Sequence, residues 1–166
     1  MYNINKLFLI LFLLFFGCTS SSMEFSSAKS AARAEKDLKR GEEWGLKALE
    51  IESDKNNALV PYFIATEIYK PQERWEEMAE MLDEAMRRNP KQKLEEPKYL
   101  IPLEELTQEN FEEMVIETIE EGVNAYRKEA WTLLYNQAVE FINIKKNELA
   151  LEKLNLCITM DPSKLE

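Results

Sequence analysis

The chain has 166 residues, 45% of them hydrophobic and 31% charged, which is long enough for one folded domain and too apolar for a disordered one. Its net charge of −10 argues against a nucleic-acid partner and against electrostatic adhesion to an anionic membrane. The absence of histidine removes the commonest general base and the commonest metal ligand together. Only 4 Gly and 6 Pro among abundant Glu, Lys, Leu and Ala point to an all-α fold.

Residues 1–17 read as a signal peptide. A single cation, Lys6, precedes an unbroken apolar run over residues 7–16, and Gly17-Cys18 follows. Ten apolar residues reach only about 15 Å as a helix, short of the roughly 30 Å hydrocarbon core. A small residue directly before Cys at the end of such a run resembles the lipobox of bacterial lipoproteins. That resemblance implies cleavage before Cys18 and lipidation of Cys18, with residues 18–22 as a short tether. Thr19 after the cysteine resembles the sorting pattern of outer-membrane lipoproteins, which implies an anchored protein facing the periplasm if the cell is Gram-negative. An ordinary secretory signal with an incidental Cys18 is the alternative. With Cys18 lipidated, Cys157 has no disulfide partner and reads as a small packing residue.

Residues 23–166 read as one helical domain. Its first helix–turn–helix covers about 22–55: Phe25, Ala28 and Ala32 form an apolar stripe after capping serines. A turn at Lys36-Asp37 leads to a second helix with Gly41, Gly45 and Ala48 inward. Lys29 is a long cation beside this stripe, and Trp44 and Leu49 are expected to supply the bulk that Gly45 lacks. A second unit, about 59–92, places Tyr62, Thr66 and Tyr69 on its first helix, which Pro71 closes. Its second helix turns Met78, Leu82 and Ala85 inward and ends at Asn89-Pro90.

Residues 93–130 are an insertion. Pro97 and Pro102 bracket Tyr99-Leu100-Ile101 as an extended connector. Thr107 reads as the cap of a long helix from Gln108, kinked at Gly122 if at all, projecting beyond its neighbours and running into the next unit. Glu112, Glu113, Glu117, Glu120 and Glu121 fall on its outer stripe. The third unit, about 131–164, carries Leu134, Ala138 and Phe141, then Ala150, Leu154 and Cys157, and stops at Asp161-Pro162.

This last unit resembles the tetratricopeptide repeat, a helix-turn-helix of about 34 residues with large and small residues in fixed order. Leu134 replaces the usual Trp, Ala138 the usual Gly and Cys157 the usual Ala. The resemblance implies an all-α solenoid with a helical insertion between the second and third repeats. It also implies a protein–protein interaction scaffold whose first helices line a groove for a partner peptide or helix. Carried onto this chain, it nominates Phe63, Glu67, Lys70, Tyr135, Val139 and Asn143 as groove residues. The carboxylate clamp of chaperone-binding members is not implied, because Ser26, Ser30 and Ile64 occupy its positions. Phe63 and Tyr135 lie off the inward stripes, so each is either a groove anchor or covered by a neighbouring repeat. Outer-membrane lipoproteins with such repeats serve envelope and secretion-complex assembly.

Leu151 and Ile158 are left without a following helix to cover them. Either the coding sequence is truncated, which is the preferred expectation, or that edge docks a partner or a second copy. A structural, self-assembling lipoprotein is therefore the alternative function. No enzyme is expected, since Ser-His and Cys-His pairs, phosphate loops and metal motifs are all missing. No cofactor and no metal site are expected either.

Overall fold

The computed structural model describes residues 21–99, 107 and 115–161. Cys18, the leader and the last part of the third unit lie outside them. α1 (Met23–Lys29) begins where the Ser22 hydroxyl accepts the Phe25 amide at 3.0 Å, and runs on as a π-helical turn, Ser30–Ala34. α2 (Leu38–Glu50) is capped by Asp37, which accepts the Arg40 amide. α3 (Leu59–Phe63) continues through a π-helical turn, Ile64–Tyr69, and a tight turn at Lys70–Gln72. Then come α4 (Trp75–Arg88), β1 (Lys93–Tyr99), β2 (Val115–Thr118), α5 (Ile119–Asn143) and α6 (Asn147–Met160). The chain is mostly helical, with one two-stranded antiparallel sheet.

The helices form three hairpins, α1/α2, α3/α4 and α5/α6. Each turn passes through one residue in the left-handed region: Lys36 (φ 58°), Glu73 (φ 55°) and Lys145 (φ 60°). At matching distances beyond these residues lie Gly41, Gly45 and Ala48, then Met78, Leu82 and Ala85, then Ala150, Leu154 and Cys157. All are buried except Leu154, which is half-buried. The first two hairpins meet through glycine. A Cβ added at Gly41 would lie 2.9 Å from Ile68 Cδ1, and one at Gly45 would lie 2.9 Å from Ile64 Cγ1. The bulk that Gly45 lacks thus comes from α3. Trp44 and Leu49 pack at the core's rim instead.

The insertion departs from the expected helix. Residues 108–114 lie outside the described part, but Val115–Thr118 is a strand paired with β1. Val115, Ile116 and Thr118 are β-branched and favour extended backbone. Thr118 then starts α5: its hydroxyl accepts the Glu121 amide, while the Glu121 carboxylate accepts the Thr118 amide, a reciprocal capping box. Thr107 is exposed, and the residues it is expected to cap, 108–114, lie outside the described part. Of the acidic stripe, Glu112 and Glu113 lie outside the described residues, and the remaining members are divided between β2 and α5. Glu117 sits on β2 beside Lys93, and Glu121 is turned back onto the Glu117 and Thr118 amides, which hold its carboxyl below the usual range. Nor does the start of α5 project. Ile119 and Val123 belong to the core, and α5 runs unbroken past Gly122.

Two side chains fix the framework beneath the sheet. Arg88, at the end of α4, donates to the Asp54 and Leu49 carbonyls and to Glu84. Gln92 accepts the Ala58 amide at 2.7 Å and donates to Asn57, while its own carbonyl accepts the Ile119 amide at 2.9 Å. The root of β1 is thereby tied to the starts of both α3 and α5.

Candidate functional site

Because Gln92 fixes its root, β1 leaves α4 and crosses the first helices of the first two hairpins. Pro97, which lacks an amide hydrogen, and the extended bias it imposes on Glu96 keep this segment out of a helix. The pairing is irregular here: Lys93 faces Thr118 and Lys98 faces Ile116, so the intervening β1 residues bulge from the ladder. Beneath the bulge, α1, α3 and β1 enclose a cleft of about 380 Å³.

Phe25 and Phe63 line the cleft, their rings edge-to-face at 5.6 Å. Cations stand over them. Lys29 Nζ is 4.6 Å from the Phe25 ring centre, and the Arg33 guanidinium is 5.4 Å from that of Phe63. Arg33 also donates to Glu67 at 3.3 Å. From the opposite wall, the Glu95 carboxylate accepts from Lys29 and lies 4.0 Å from Arg33. Lys98 hydrogen-bonds the Tyr126 hydroxyl and sits 4.6 Å from that ring's centre. Arg33 and Glu67 are carried on the two π-helical turns, a local widening that recurs at functional positions.

The six nominated residues separate. Phe63 and Glu67 line the cleft, but Phe63 is only 3% exposed and belongs to the core. Lys70 lies at the junction of α3 and α5, donating to both Glu129 oxygens at 2.8 Å with its ammonium 4.5 Å from the Tyr126 ring centre. Tyr135, Val139 and Asn143 are exposed along α5 and are not among the cleft's lining residues. Tyr135 stacks on Trp131 at 5.0 Å. Sequence reasoning missed Lys29, Arg33, Glu95 and Lys98. Lys29 did carry a signal, a long cation beside an apolar stripe.

Chemically, the cleft can seat an apolar side chain beside a carboxylate. Tyr62, which also lines it, turns its hydroxyl toward Gly122, where it has no hydrogen-bond partner among the described residues; burial pushes this phenol well above its ordinary range. Cys157 is buried, its thiol donates to the Trp131 carbonyl, and burial raises its pKa. Among the described residues no group of His, Cys, Asp and Glu could hold a metal ion, and no helix is long and apolar enough to cross a membrane. No family model matches the chain, and neither a curated protein nor a solved structure does.

Proposed function

We propose that the protein is a membrane-anchored interaction scaffold, a tetratricopeptide-like repeat lipoprotein that receives an extended segment of a partner on the face of its first helices. One observation carries the reading: the cleft on that face already lies against an extended strand, β1, through apolar, cation–π and ionic contacts. The recurrent left-handed turn and the repeated small or apolar positions support the solenoid part of the reading. Anchoring rests on the Gly17-Cys18 pattern alone. Loss of fatty-acid label in Cys18→Ala tests it, and equal label in both proteins ends it.

The binding role is tested by placing a photo-crosslinking residue at Glu67 or Val139, and at the outward Glu43 or Glu80 as controls. One common adduct from the first two positions and none from the controls is expected. Adducts spread evenly over all four would remove the groove from the reading.

A second reading has its own observation. Leu151 is 61% exposed, Ile144 58% and Ile142 51%, so the α5/α6 hairpin offers apolar surface for self-assembly. Sedimentation over a range of concentrations separates the two readings, a constant monomer favouring the scaffold.

A further inference from the structure

We infer that Leu94-Glu95 on β1 acts as a ligand held in cis, and that a partner's extended acidic segment, with an apolar residue beside its carboxylate, displaces it from Lys29, Arg33 and Phe63. The inference rests on the proposed scaffold role and names the chemistry of its partner.

Three features of the strand support it. The root is fixed, because Gln92 bonds to Ala58, Asn57 and Ile119. The body is held lightly. Between Lys93 and Lys98 the ladder is irregular, and Glu95 is bound through ion pairs whose side chains are all partly exposed to water. Exposed pairs of this kind contribute little and weaken with salt. The site beneath is complementary to what lies on it. Leu94 packs against the core cluster and lines the cleft with Phe25 and Phe63, while the adjoining carboxylate meets two cations of the α1 segment. With the strand lifted, Lys29 and Arg33 outnumber Glu67 on the helix side of the cleft, which is thereby locally positive in a chain of net charge −10 and prefers an acidic segment. Glu95 already satisfies the cations, so an incoming carboxylate must replace it. The strand therefore sets a threshold for binding, because only the fraction of molecules with the strand lifted is competent.

The test uses the full chain and a fluorescent peptide of its own residues 93–99, KLEEPKY. Glu95→Lys places a cation against Lys29 and Arg33 and should lift the strand. The variant is expected to bind the peptide at least about tenfold more tightly than the parent. Adding Lys29→Glu and Arg33→Glu to that variant should remove the gain. Equal affinity of parent and Glu95→Lys, with unchanged helical circular dichroism, overturns the proposal. Hydrogen exchange on the unaltered chain stands independently of any variant's folding. Raising salt should speed exchange at residues 94–96 while α3 and α4 keep their protection. Salt-independent exchange there also overturns it. Either failure, combined with an adduct at Val139 and none at Glu67, would leave the scaffold role intact and locate the partner away from the strand.

Discussion

Gly122 offers a measurement whose sign separates two pictures of α5. In an exposed helix, Gly→Ala stabilises by about 0.8–1.0 kcal/mol, because glycine loses more backbone freedom on folding. In this structure Gly122 is buried, and a Cβ there would lie 2.4 Å from Tyr62 Oη, 2.9 Å from Cζ and 3.0 Å from Cε2. The ring cannot retreat easily, since Tyr62 is buried and also packs edge-to-face on Tyr126 at 6.0 Å. Forcing a methyl into a packed site costs about 1–3 kcal/mol. Set against the helix gain, Gly122→Ala should lower stability by about 1 kcal/mol. Denaturant unfolding with an unchanged slope reads this directly. Tyr62→Phe removes the nearest atom, a buried hydroxyl without a partner among the described residues, and should be nearly neutral alone. Combined with Gly122→Ala it should recover about 0.5 kcal/mol or more, a coupling expected only between touching residues. A stabilising Gly122→Ala, or a cycle without coupling, refutes the contact.

Other substitutions probe the remaining joints. Phe63→Ala should cost about 3–5 kcal/mol, because the ring lies in the core; a melting temperature left unchanged would restore Phe63 as an exposed groove anchor. Tyr135, 43% exposed, should lose only its stacking on Trp131, about 0.5–1.5 kcal/mol on truncation to Ala. Ala150→Leu should cost about 1–3 kcal/mol in denaturant unfolding, whereas Lys146→Ala at an exposed position stays within about 0.5 kcal/mol. Arg88→Leu strips donors from the Asp54 and Leu49 carbonyls and should cost about 2–3 kcal/mol, with thermal unfolding as the readout. Cys157 should react with a thiol reagent at pH 8 far more slowly in native than in unfolded protein, since burial disfavours its thiolate. Equal rates would place it at the surface.

What could be read from the sequence was what local spacing determines. The turn at Lys36-Asp37, the serine cap of α1 and the inward Met78, Leu82 and Ala85 all follow from periodicity and turn chemistry. Residues 115–118 were misread because one spacing serves two structures. Val115, Ile119 and Val123 continue the helical phase of α5 backward, but the β-branched run and the Thr118/Glu121 box favour a strand followed by a fresh helix start. The glycines of α2 were read for what they lack. Their partners, Ile64 and Ile68, lie in another hairpin, and no local pattern announces that contact.

The cleft shows why site residues are harder to read than folds. Lys29 and Glu95 are 66 positions apart, in segments that local patterning can assign only to a helix and an extended connector. What joins them is the path of β1, set by Gln92 bonding to Ala58 and by the Ile119 amide closing on the Gln92 carbonyl. Neither bond leaves a trace in hydrophobic periodicity, because each pairs a backbone amide with a side-chain or backbone oxygen remote in sequence. The groove nominated from the resemblance assumed first helices open to solvent along their length. On the first two hairpins that face is instead met by the chain's own strand β1, which moves the binding question from Tyr135 and Val139 on α5 to the contact between Lys29, Arg33 and Glu95. A partner that engages this face must compete with a segment tethered beside it, and a tethered competitor acts at high effective concentration however weak its individual contacts are. Selectivity at such a site then depends on how much better an incoming segment fits than Leu94-Glu95 does.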